Sequence, residues 1–100
     1  MAIYVTSDAH GHVRALDEAL SKISLASDDT LYVLGDMIDR GPDPVGVIKL
    51  VRSLPNALVL KGNHEQIMLD AIIGQDPLDA ETWDINGGWT TREQLNDMEF

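Results

Sequence analysis

Apolar and β-branched residues cluster in three short runs along this chain: Ile3-Tyr4-Val5-Thr6, Leu31-Tyr32-Val33-Leu34 and Leu58-Val59-Leu60. Runs of this length and composition predict β-strands. They are continuously apolar rather than alternating, which suits a parallel sheet covered on both faces. Between the first two, Val13, Leu16, Leu20 and Ile23 recur at the spacing that puts one apolar stripe on a helix. Asp43-Pro44 is a helix start: an acceptor for the first free N–H groups, then a proline where its missing N–H costs nothing. The helix it begins buries Val47, Ile48, Val51 and Leu54 and stops at Leu54-Pro55-Asn56. A third helix is expected from about His64 to Ile73, with Ile67, Met68, Ala71 and Ile72 facing inward, broken by Gly74 to Pro77. The acidic positions from Asp76 to Asp84 read as a solvated loop, Thr82 to Thr91 as loop-like, and Thr91 to Met98 as the beginning of another helix.

The resulting order, β-α-β-α-β-α, predicts an α/β fold with a parallel β-sheet and right-handed crossovers. In such sheets ligands bind beyond the carboxyl ends of the strands. Each predicted strand runs into a polar stretch at that end: Asp8-Ala9-His10-Gly11, Gly35-Asp36-Met37-Ile38-Asp39-Arg40-Gly41 and Gly62-Asn63-His64-Glu65. Successive stretches are separated by roughly one βαβ unit, about 30 residues.

Composition narrows the partners. The net charge of −10 argues against nucleic acid, whose binders need a basic face, and against anionic membrane surfaces. No cysteine is present, so disulfides and thiolate metal sites are excluded. The apolar fraction of 44% is ordinary for a folded domain. The N-terminus enters a strand with no basic region or long apolar segment before it, and no run is long enough to span a bilayer. A cytoplasmic location is the default expectation.

Asp8, His10, Asp36 and Asn63 are hard or borderline metal ligands that suit Mn²⁺, Mg²⁺, Fe or Zn²⁺. Any one of them alone is as readily a turn or capping residue. Together, at three strand ends, they suit a pair of divalent ions about 3.5–4 Å apart, the arrangement that clamps both oxygens of an in-line phosphoryl displacement. Arg40 offers a planar fork for phosphate oxygens. His64 could give a proton to a leaving oxygen, with Asp39 holding its ring. His12 reads as a loop or first-turn residue. Glu65 reads as serving the start of its helix, where a carboxylate complements the dipole. Trp83 and Trp89 read as packing residues and Asn86-Gly87-Gly88 as a structural turn.

The three stretches resemble the signature blocks of the phosphoprotein phosphatase branch of the metallophosphoesterases, over about residues 3–70. Trp83, Asn86-Gly87-Gly88 and Thr91 are similar to a block of the bacterial and phage serine/threonine protein phosphatases. The resemblance implies that Asp8 and His10 bind a first metal, that Asp36 bridges two, and that Asn63 binds the second. It also implies that His64 is the general acid paired with Asp39, and that Arg40 binds the substrate phosphate. Hydrolysis would proceed through a hydroxide bridging the two ions, with manganese the first expectation, on a phosphorylated protein or another phosphoester.

The family completes its second metal site with two histidines further along, and this chain has only His10, His12 and His64. The resemblance therefore implies that residues 1–100 are the N-terminal portion of one domain, half of a calcineurin-like four-layer α/β/β/α sandwich. The second metal site is then incomplete, and the uncovered sheet face is a candidate for homo-oligomer formation. The same blocks occur in symmetrical diadenosine tetraphosphate hydrolases, the alternative substrate class. A half-domain that binds one metal or self-associates without turnover is the alternative outside enzymes.

Overall fold

The three predicted strands form one sheet in the order β1-β2-β3, both pairings parallel. The computed structural model describes residues 1–74 and 76–98. The elements are β1 (Ile3–Thr6), α1 (Val13–Ile23), β2 (Thr30–Val33), α2 (Pro44–Arg52), β3 (Ala57–Val59), α3 (Asn63–Ile73), α4 (Pro77–Ile85) and α5 (Trp89–Asp97). The α/β fold with a parallel sheet is thus as the sequence predicts.

Strand register sorts the side chains by face. Tyr4, Leu31 and Ala57 lie abreast, as do Val5, Tyr32 and Leu58 one residue further along. Leu31 and Val33 point into a core shared with Leu16 of α1, Val47 and Val51 of α2, and Met37 and Ile38 of the loop after β2. Burying Val47 and Ile38 completely contributes on the order of 1.5–3 kcal/mol each. The opposite face is open: Ile3, Val5, Leu34, Leu58 and Leu60 are all exposed. Their apolar character thus does not mean cover on both faces within these residues, and the expectation of an uncovered sheet face agrees with the structure.

The helix starts follow their local chemistry. The Asp43 carboxylate accepts the Gly46 N–H at 2.9 Å, with Pro44 in the first turn. The region expected to be loop-like from Thr82 to Thr91 is mostly helical: α4 runs through its first half and α5 begins at Trp89. The reason is a second helix start of the same kind, in which Asp76 accepts the Leu78 N–H ahead of Pro77. The acidic positions from Asp79 to Asp84 therefore lie on a helix, and only the Asn86-Gly87-Gly88 turn is left between α4 and α5. In α3 the buried residues are His64 and Glu65. Ile67, Met68 and Ala71 are half-buried, whereas Ile72, expected inside, is exposed. The first turn of α3 is pinned into the loops at the sheet's end, which turns polar residues inward there. Among the described residues no helix is long and apolar enough to cross a membrane.

Candidate active site

The loops after β1, β2 and β3 meet beyond the carboxyl ends of the strands, and backbone hydrogen bonds join the first two. His10 N–H donates to Asp36 O at 3.0 Å, Gly11 N–H to Met37 O at 2.9 Å and Asp43 N–H to Gly11 O at 2.9 Å. The third loop comes in so close that a side chain on Gly35, which sits at φ +93°, would run into the backbone of Gly62.

Glu65 fixes that approach. Its carboxylate accepts the N–H groups of Asp36 at 2.6 Å, Met37 at 3.0 Å and Gly62 at 2.9 Å. Reading Glu65 as a helix-start residue is correct for the Gly62 contact, but two of its three donors belong to the loop after β2. It is a clamp between strand ends as much as a helix terminus. Asp36 returns the tie by accepting the His64 N–H on Oδ1 at 2.8 Å.

Asp8, His10 and Asp36 come together, each offering a ligand atom within 4.8 Å of the others. Nδ1 of His10 lies 2.8 Å from the carbonyl oxygen of Ile38. A carbonyl only accepts, so Nδ1 carries the hydrogen and Nε2 presents its lone pair. That nitrogen faces Asp8 Oδ1 at 3.4 Å. A lone pair and a carboxylate aimed at one another, with Asp36 beside them, fit a divalent cation. The backbone contact on the far ring nitrogen is the usual support of a ligating histidine. The Ser7 hydroxyl, donating at 2.7 Å, holds the Asp8 carboxyl below the ordinary carboxylate range against a smaller opposing effect of desolvation. In its protonated form the His10 ring adds to the lowering.

Backbone strain gathers at the same place. Asp8, His10, Asp36, Asp39 and Arg40 all have positive φ, from +41° to +72°. Elsewhere among the described non-glycine residues only Ser24, at the end of α1, does so. Such conformations cost on the order of 1–3 kcal/mol each and persist where surrounding contacts over-determine them.

A second carboxylate–histidine pair lies deeper. Asp39 is fully buried, and its Oδ2 is 2.8 Å from His64 Nδ1. The ring of His64 meets that of His10 edge to face, with centroids 4.6 Å apart, so the two pairs adjoin. Arg40 is exposed, and its N–H donates to Gly87 O at 2.9 Å. Asn63 is exposed as the first residue of α3, next to the bonded His64. His12 is exposed just before α1 and stands outside the cluster, as expected.

Trp83, read from sequence as a packing residue, and Thr91, placed there only where a loop gives way to a helix, do more. The Trp83 indole N–H and the Thr91 hydroxyl both donate to Asp39 Oδ1, at 3.0 and 2.8 Å. Thr91 Oγ1 also accepts the Asp39 N–H at 2.9 Å. The signal that could have found them is their place in the Trp83 to Thr91 block, which the resemblance had singled out without a role.

The calcineurin-like phosphoesterase family matches residues 1–98. A symmetrical bis(5'-nucleosyl)-tetraphosphatase of Proteus mirabilis is 42% identical over 71 residues, covering 69% of this chain and 26% of that protein. Serine/threonine-protein phosphatase 1 of Salmonella typhimurium is 38% identical over 92 residues, covering 90% of this chain and 41% of that one. A solved structure assigned as a diadenosine tetraphosphatase superposes with a TM-score of 0.56 at 29% identity, over 79% of this chain and 40% of its own. The chain thus spans less than half the length of each of these proteins. With a match along nearly its whole length, and with carboxylates and histidines gathered at the ends of a parallel sheet, the chain belongs to the calcineurin-like phosphoesterase (metallophosphoesterase) family.

Proposed function

We propose that this chain carries part of the active site of a metal-dependent phosphoesterase acting on phosphorylated protein, with Asp8, His10, Asp36 and Asn63 as metal ligands. The observation that carries the reading is the adjoining of two groups: the Asp8-His10-Asp36 cluster and the buried His64–Asp39 pair. A divalent ion held there, manganese first, supplies Lewis acidity to a phosphoryl oxygen and to water. The protein's own share is positional. Asp39 occupies His64 Nδ1, so Nε2 is the ring nitrogen left to pass a proton to the departing oxygen. Arg40, exposed beside the pair, offers its guanidinium fork to the phosphate. The second ion's site is incomplete in these residues, and that favours treating the chain as the N-terminal portion of a longer domain.

The Trp83 to Thr91 block and the extent of the match to the Salmonella phosphatase support phosphoprotein as substrate. The higher identity to the Proteus tetraphosphatase and the structural neighbour support a second reading, a symmetrical dinucleoside tetraphosphate. Turnover of a phosphopeptide, diadenosine tetraphosphate and p-nitrophenyl phosphate with added Mn²⁺ tests both. Metal-dependent release of phosphate that His64→Asn lowers by about 10²–10⁴-fold is expected. The preferred substrate then decides between the readings. Turnover unchanged by His64→Asn overturns the assignment of the proton donor, and no turnover by the wild-type chain favours the non-catalytic half-domain.

A further inference from the structure

We infer that Trp83 and Thr91 are positioning residues that fix Asp39 in the one orientation from which it holds the His64 ring. For turnover this rests on the proposed role of His64; for the geometry of the ring it stands alone.

Asp39 has no access to water, so its carboxylate takes hydrogen bonds only from protein. Oδ2 is occupied by His64 Nδ1, and Oδ1 by both the Trp83 indole and the Thr91 hydroxyl. With both oxygens engaged the carboxylate cannot rotate without breaking a charge-assisted bond. Thr91 sets the sense of its own bond. Because its oxygen accepts the Asp39 N–H, its single hydrogen is left to point at Oδ1. Trp83 is held in turn: a Cβ on Gly88 would run into the indole, and the Gly88 N–H donates to Trp83 O at 2.8 Å. The same turn takes the Arg40 N–H on Gly87 O. One block, from the end of α4 through the turn to the start of α5, thus grips two successive residues, Asp39 and Arg40, both in the left-handed region.

Packing alone does not ask for these polar atoms. Valine would fill the space of Thr91 and phenylalanine most of that of Trp83, but each would take one of the two donors from Oδ1. The polar atoms serve the carboxylate, and among the described residues the other group that carboxylate binds is His64.

The test is long-range ¹H–¹⁵N spectroscopy of the histidine rings in the metal-free 100-residue chain, with His64→Asn assigning the signal. Wild type and Thr91→Ser are expected to show His64 in the Nδ1–H form with a proton protected from exchange. Trp83→Phe and Thr91→Val are expected to lose that protected signal while their amide spectra stay folded. Folded apolar variants with the wild-type ring signature overturn the inference. If neither apolar variant folds, the wild-type indoles decide. Slow exchange of the Trp83 indole proton beside fast exchange of the exposed Trp89 supports the bond to Asp39, and equal fast exchange overturns it. With Mn²⁺ and p-nitrophenyl phosphate, the apolar variants should lower kcat by roughly ten- to a hundredfold, the range for outer partners of a working histidine, with KM unchanged. A wild-type chain without turnover favours the non-catalytic half-domain and does not touch this inference, which the ring signature still decides.

Discussion

Two carboxylate–histidine pairs stand side by side at the end of one sheet, and they are built in opposite ways. In the Asp8–His10 pair the carboxylate is 62% exposed and the closest approach is 3.4 Å. In the Asp39–His64 pair the carboxylate is wholly buried and the approach is 2.8 Å. The first pair presents its acceptors outward beside Asp36. The second has every donor and acceptor around its carboxylate matched, and no buried polar side-chain atom among the described residues lacks a partner. The difference teaches that the same two residue types make an open pair, free to take a guest under the proposed reading, and a closed one that holds a ring still, and that burial separates them.

The largest effect should come from removing the buried carboxylate. Asp39→Ala strands the His64 ring, the Trp83 indole and the Thr91 hydroxyl together, and a loss of about 3–5 kcal/mol is expected on urea denaturation. If Asp8→Ala destabilises the metal-free chain as much, the contrast between the pairs is broken. Glu65→Gln tests what joins them. Its amide group would face a backbone N–H with another donor, at a cost of roughly 1–3 kcal/mol. Denaturation midpoint and slope would show this.

Asp8→Asn sharpens the other side. The metal-free melting temperature should fall only slightly, by the small contribution of the lowered carboxyl, while Mn²⁺ affinity by calorimetry falls at least about tenfold, the smallest loss seen even for supporting partners of ligands. Smallest is Ser7→Ala, which removes the main cause lowering the Asp8 pKa and should raise it toward the ordinary value of about 3.9. Its sign follows from linkage. A carboxyl lowered in the folded state adds stability above its unfolded pKa, and that contribution is lost as pH falls through the folded value. A ¹³C titration of Asp8 that is identical in Ser7→Ala and wild type would show that the hydroxyl contact is absent in solution.

The outward pair was legible in the sequence and the inward one only in part. Asp8, His10 and Asp36 follow apolar runs directly, and a strand end next to a polar residue is a local pattern. His64 and Asp39 can be named as a pair from their residue types and again from the resemblance, but the donors on Asp39 Oδ1 cannot. Trp83 lies 44 residues away, and nothing in its neighbourhood says which way its N–H points. Glu65 misled for a related reason, since two of its three bonds exist only after separate loops converge. The miss at α4 was of another kind. Asp76-Pro77 repeats the signal of Asp43-Pro44, but the acidic residues after it have the composition of a solvated loop, although a helix can carry them on an outward face.

The bond between Thr91 and Asp39 closes a span of 52 residues. Closing a loop costs chain entropy that rises with its length, and it is recovered only when the contact forms. The Asp8–His10 pair lies within one loop, so its two members are available early as the chain emerges. The inward pair has no fixed carboxylate until α5 arrives. The two pairs therefore differ in the length of chain they need: Asp8 and His10 can meet within one loop, whereas the Asp39 carboxylate is fixed only once residues as far along as Thr91 are in place.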